Sequence, residues 1–344
     1  VVATALVVFH HAALTYGAFG GWYWHERPEG ASPPLTLFVT LNQAWFMGLF
    51  FLLAGYFTPG AYARKGPRGF MAGRLLRLGV PLLAYAVLLD PLTNAIARWH
   101  DVLPGWERRI AHGDFHPGPM WFAEALLLFS AAYVAWRRVS GPPASRKMPG
   151  DGALLVAALG VGCAAFLIRL VFPVDRGVGG MLPGYFASYV LLFAVGTMAA
   201  AGDWLGHVPG RRALGWFVVS IIAVVVLVAS QRLLAAGPTA GGLNERAAVY
   251  AFFEPFYAWG VILGLLWLAR RTVGGPLPAP DWLARRAFTV YIIHPPILVA
   301  VTRLLQPWHA FAGAKTLVAG SLACAGCLAV ASLVLLVPGA RRIL

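Results

Sequence analysis

Charge is what this sequence has least of. Only 12% of its 344 residues are Asp, Glu, Lys or Arg, about half the share of a soluble domain, and the 59% that are hydrophobic exclude an ordinary water-soluble enzyme. Acids are rarer still, 13 against 27 basic residues, and just three of the bases, Lys65, Lys147 and Lys315, are lysine. The resulting net charge of +14 would suggest a nucleic-acid partner in a soluble chain. Here the arginines lie between apolar runs, where they read as topology signals, and no nucleic acid is implied. Cysteine is scarce as well: Cys163, Cys324 and Cys327 all sit in apolar segments. The spacing Cys324-Ala-Gly-Cys327 has no second ligand pair beside it, so both read as small hydrophobes and no metal or disulfide is expected. There is no long polar tract and no visible internal repeat, which points to a single domain over residues 1–344 and weakens a transporter reading. The chain also lacks an initiator Met and starts inside a hydrophobic run, so its natural N-terminus is expected upstream of Val1.

What is present is a series of apolar runs. A helix needs about 20 such residues to cross the hydrocarbon, and ten candidates fall near 1–20, 36–58, 76–97, 119–137, 152–172, 184–201, 213–235, 247–269, 284–303 and 316–338. The third is interrupted by Asp90-Pro91, which reads as a helix-breaking turn, and the fifth ends at Arg169. The fold class is thus all-α and polytopic, in a lipid bilayer. Alternate loops hold 17 of the 27 basic residues, among them Arg64, Arg74, Arg77, Arg137, Arg212, Arg270, Arg286, Arg341 and Arg342. The other loops share the remainder with most acids, Glu26, Glu29, Asp101, Glu107, Asp114, Asp175 and Glu245. The positive-inside rule then puts both termini in the cytoplasm. Trp22, Tyr23, Trp24, Trp99, Trp204, Trp282 and Trp308 stand at segment ends and read as interfacial anchors. His100, in the long outer loop 99–118, is assigned no role.

Polar groups inside the apolar runs are the candidates for chemistry, because each is expensive in hydrocarbon unless it is paired, wet or functional. His10 and His11 lie side by side in VVATALVVFHHAALTY, about 100° apart on a helix, so they face different partners and either can be the functional one. Glu124, in GPMWFAEALLLFS behind Trp121, and Glu254, in AFFEPFYAWG, each need a cavity or an arginine. A carboxylate at a helix centre costs about 2.5–3.5 kcal/mol. Arg74 and Arg77, in GRLLRLGVP, share one helix face and can converge on one anion, a phosphate or pyrophosphate; Pro81 bends the helix a turn later. His294, in FTVYIIHPPIL, follows Tyr291 by one turn and precedes two prolines expected to break the helix.

The order of FHHAALTYG, FFLLAGYF, GRLLRLGVP, GPMWF and FTVYIIHPPIL resembles acyltransferase family 3, bacterial membrane proteins of ten helices, over essentially the whole chain. The flavour is similar to glucan-modifying, stand-alone members. The resemblance implies transfer of an acyl group, acetyl or succinyl, from acyl-CoA on the cytoplasmic side to a hydroxyl of a cell-surface saccharide or related acceptor, in the bacterial cytoplasmic membrane. It implies His11 rather than His10 as the catalytic histidine, since counting back ten residues from His11 sets the family's first-helix Arg just before Val1. Arg74 and Arg77 match the family's R-x-x-R and are implied to hold the donor's phosphates. Glu124 and Glu254 then rank as catalytic candidates that orient His11 or hold the acceptor, and Trp121, Tyr291 and His294 as acceptor-binding candidates. The chain departs from the pattern at Ala54, where relatives often have Ser. The competing class is a proton-coupled transporter or flippase of a lipid-linked or acidic solute, whose His and Glu would relay protons.

Overall fold

The computed structural model describes residues 2–99, 101–113, 115–235, 237–272 and 281–343, apart from the side chains of Thr272, Asp281 and Arg342. His100 and Asp114 lie outside the described residues. Among the described residues every regular element is helical and there is no strand, one isolated bridge at Val178 and Met181 aside. This is an all-α polytopic membrane fold. Among the described residues, eight helical stretches are long and apolar enough to cross a membrane. One of them, Pro33–Arg98, contains both the second and the third expected segments, and the first is the shorter apolar helix Val2–Thr15.

In chain order the helices are α1 (Val2–Thr15), α2 (Pro33–Arg74), α3 (Val80–Ala84), α4 (Asp90–Arg98), α5 (Val102–His112), α6 (Trp121–Val139), α7 (Asp151–Val171) and α8 (Phe186–Gly202). They continue with α9 (Gly210–Leu233), α10 (Glu245–Thr272), α11 (Asp281–Ala284), α12 (Ala287–Leu304), α13 (Ala312–Val334) and α14 (Ala340–Ile343). Within α2 the helix is interrupted at Gly66, whose φ of 66° and ψ of 172° only a residue without Cβ adopts readily.

The expected break at Asp90-Pro91 is absent, and the chain stays helical to Arg98. Two π turns, Leu75–Gly79 and Tyr85–Leu89, explain how. Each closes with a bond five residues back, from Val80 N–H to the Leu75 carbonyl and from Asp90 N–H to the Tyr85 carbonyl. Each also ends two residues before a proline, Pro81 or Pro91. A proline ring clashes with the carbonyl four residues earlier; widening the preceding turn relieves that clash without ending the helix. Both prolines then occupy the first turn of the next α segment, where a missing N–H costs little.

The chain forms two compact units, residues 1–42, 72–127 and 278–344 in the first and residues 43–71 and 128–277 in the second. In the first, α1 packs on α12 and α13, and α12 packs on α4. Val8 and Ala12 of α1 meet Leu298 of α12 and Ala323 of α13 in a fully buried cluster. Cys327, equally buried, packs with Val290 and Ala331 as a small apolar residue. In the second, α10 lies along α9 and α7, with Leu52, Val161, Trp216 and Trp259 at the core. There α2 and α8 cross backbone to backbone, because a Cβ at Gly55 would strike the Phe193 carbonyl and one at Gly196 the Leu52 carbonyl. FFLLAGYF is therefore a crossing motif in which Gly55 is indispensable.

Candidate active site

The site of interest lies in the first unit, where α1 and α12 each bring histidine into the interior. His10 is 6% exposed and its Nδ1 is 3.1 Å from the amide nitrogen of Asn42. An amide nitrogen only donates, so His10 Nδ1 accepts. His11 is half-buried and faces elsewhere: its Nδ1 is 3.1 Å from Nε2 of His294, which is fully buried. The two rings are 22° from parallel with centroids 5.0 Å apart. The pair separated on α1 as its helical spacing requires.

His294 explains why its two prolines do not break the helix, contrary to the expectation above. The chain is helical from Ala287 to Leu304 through Pro295 and Pro296. Pro295 has no N–H to offer the carbonyl of Tyr291, four residues back. That carbonyl is taken by the His294 side chain, with Nδ1 2.6 Å away. A carbonyl can only accept, so Nδ1 of His294 carries the proton, and in the neutral ring Nε2 is an acceptor. It follows that His11 donates from Nδ1 to His294 Nε2, leaving the Nε2 lone pair of a neutral His11 unprotonated. Fixing one ring nitrogen by a hydrogen bond sets the chemistry of the other. The arrangement is that of a base whose tautomer is held by a second group.

The opposite face of His11 is covered by Trp22, with ring centroids 4.2 Å apart and 17° between the planes. Trp22 is therefore not an interfacial anchor. Its neighbour Tyr23 also turns inward, donating to Asp90 at 2.6 Å and meeting the Tyr85 hydroxyl at 2.8 Å. Burial first, then Tyr85 and Asp90, push the Tyr23 phenol well above its usual range, so it remains a donor. Asp90 is 2% exposed and also accepts from Asn94 at 3.2 Å. Instead of marking a helix-breaking turn, it is the buried acceptor that ties the 17–32 loop down beside α1. Gly118, at φ 46°, makes room: a Cβ there would collide with the hydroxyls of Tyr23 and Tyr85. Trp204 is likewise buried and bonded to the Arg146 carbonyl at 2.6 Å, whereas Trp282 and Trp308 are exposed as anchors are.

The other residues singled out by sequence are distributed as follows. Tyr291 donates to the Pro119 carbonyl and stacks over His294 with centroids 6.0 Å apart. Trp121, at the start of α6, is half-buried against Phe122. Glu124 is half-buried and has no hydrogen bond or ion pair among the described residues. Arg74 immediately precedes the first π turn and Arg77 lies within it, close enough for their charges to interact, and α14 packs against that turn. Glu254 is in the second unit, paired with Arg169. Arg169 is fully buried; its Nε donates to the Gly184 carbonyl at 3.0 Å, and the rings of Tyr185 and Tyr250 lie 5.3 and 5.0 Å from its guanidinium carbon. Sequence reasoning missed Arg169, Asn42, Trp22 and Asp90. The first had a signal, since a lone arginine and a lone glutamate in apolar spans are expected to pair.

The model of the acyltransferase 3 family, an acyltransferase domain, matches residues 1–336. The chain is also similar to the glucans biosynthesis protein C of Salmonella typhi, of Salmonella typhimurium strain LT2 and of Salmonella schwarzengrund. Each is 20% identical over 315 residues, covering 86% of this chain and 80% of the relative. No solved structure matches.

Proposed function

The chain belongs to the acyltransferase 3 family, and from that premise we propose that this multi-pass membrane enzyme moves an acetyl or succinyl group from cytoplasmic acyl-CoA to a hydroxyl of a saccharide acceptor. The observation that carries the reading is the run of hydrogen bonds from the Tyr291 carbonyl through His294 to His11. It leaves Nε2 of His11 as the atom able to take the acceptor's proton, the work of a general base. His294 is a positioning residue in this scheme. The Glu124 carboxylate, unpaired among the described residues, is available to acceptor hydroxyls, with Trp121 three residues before it on α6. The saccharide acceptor is supported by the names of the relatives, and the bacterial cytoplasmic membrane by their source.

Arg74 and Arg77 suit the donor's phosphates, which guanidinium groups bind through charge-assisted bonds. Replacing both by alanine is expected to raise KM for acyl-CoA by about tenfold or more, the equivalent of one lost charged hydrogen bond. kcat should change far less, as binding is lost without loss of chemistry. An unchanged KM in membranes with normal protein levels would leave the pair as topology markers.

The role of His294 has its own signature. His294→Ala should lower kcat by less than loss of His11 does, with KM for the donor unchanged. His294→Gln, whose side-chain oxygen can accept from His11 Nδ1, should recover part of the rate. Equal rates for the two variants would remove His294 from the scheme. The overall test is transfer of label from acetyl-CoA or succinyl-CoA in membranes, followed by mass spectrometry of surface glycans from cells with and without the protein. Solute movement with no acylated product would favour a transporter instead.

A further inference from the structure

Beside His11 there is a buried donor with nothing to bond. Nε1 of Trp22 is shielded from solvent and has no hydrogen-bond partner among the described residues. An indole N–H can only donate, and a buried donor left unmet carries its full desolvation penalty. Trp24 and Trp259 also bury an unpaired indole N–H. They differ in setting: Trp24 lies beneath the Arg303 guanidinium, and Trp259 packs against Trp216, whereas Trp22 is stacked on the imidazole proposed above as the base. The position of the ring is also fixed. One edge meets Tyr23, itself held by Asp90, and the ring packs against the apolar clusters that contain Val8, Ala12, Leu14 and Leu298. A donor so placed is prepaid for a charge that exists only during reaction, which is how oxyanion stabilisation works.

We propose that Trp22 is a further catalytic residue, its indole N–H donating to the carbonyl oxygen of the acyl donor as that oxygen becomes negative. The inference rests on His11 acting as the base. The acceptor hydroxyl gives its proton to His11 Nε2 while its oxygen bonds to the acyl carbon, and the carbonyl π pair moves onto oxygen. That oxyanion accepts from Trp22. The pair then reforms the carbonyl, the carbon–sulfur bond breaks, and the imidazolium returns its proton to the departing thiolate. The near-parallel rings, with centroids 4.2 Å apart, hold the indole against the face of the imidazole that takes the proton.

The test is made on the full chain in membranes, with labelled acetyl-CoA and a glucan oligosaccharide as acceptor. Trp22→Phe keeps an aromatic face on His11 and removes the donor. Replacement of Trp22 by the benzothiophene isostere, sulfur in place of N–H, keeps the whole ring shape. Both should lower kcat by about 10²–10³-fold, the usual cost of one oxyanion donor, with KM for acetyl-CoA and thermal unfolding in detergent unchanged. A wild-type rate in the isostere, whatever Trp22→Phe does, would overturn the proposal, because only packing would then matter. His11→Ala is the control for the underlying reading: if it is inactive while the isostere is fully active, the indole role alone falls. If His11→Ala is fully active, the base assignment falls and the indole role falls with it.

Discussion

His11→Ala is expected to reduce acyl transfer by about 10²–10⁴-fold, the range that a positioned general base contributes, while the protein accumulates in membranes at its normal level. His10→Ala should behave differently. His10 is tied to Asn42, so its loss leaves a buried amide without a partner and acts on stability. The two adjacent histidines thereby separate a kinetic effect from a thermodynamic one. The measurement is transfer of label from acyl-CoA alongside thermal unfolding of each purified variant in detergent. Full activity in His11→Ala with loss in His10→Ala would reverse the assignment. A further distinction is available from the donor side: if His11 only takes a proton, KM for acyl-CoA stays the same in the variant and kcat falls.

The second large effect concerns folding. Arg169 and Glu254 form an ion pair with side chains 0% and 7% exposed, and Nη1 of the arginine and Oε1 of the glutamate have no partner among the described residues. Removing one member leaves the other charge in an apolar interior. Breaking such a pair costs about 3–5 kcal/mol, so Arg169→Ala and Glu254→Ala should each lower the unfolding temperature sharply and deplete the protein from membranes. The double variant Arg169→Met with Glu254→Leu removes both charges at once. It should regain most of the loss, since apolar replacement of a whole buried pair is often neutral. A stable Arg169→Ala would show that water reaches the pair. If instead Glu254→Gln folds normally and transfers no acyl group, Glu254 takes part in the chemistry and is more than the arginine's counter-ion.

Much of the fold was legible because hydrocarbon imposes a simple rule: apolar runs of sufficient length become helices. His10 and His11 stood out for the same reason, as did His294. Their pairing did not, because His11 and His294 are 283 residues apart and no periodicity links α1 to α12. The prolines misled for a definite cause. The rule that proline ends a helix assumes the freed carbonyl has no other donor and the preceding turn stays narrow. His294 supplies the donor in one helix, and π turns widen the chain in the other. Trp22 and Tyr23 misled because aromatics at a segment end have two fates, facing lipid or folding back. Only the distant carboxylate of Asp90 decides which.

The π turns at Leu75–Gly79 and Tyr85–Leu89 also bear on how this protein is to be compared with its kin. Each accommodates one residue more than the helical pitch demands, so everything beyond it is swung round by about 100° relative to an uninterrupted helix. A relative that lacks Pro81 or Pro91, and with it the widened turn, would superpose only with a one-residue gap. Without that gap, an alignment would set Asp90 opposite a position on a different side of the cylinder.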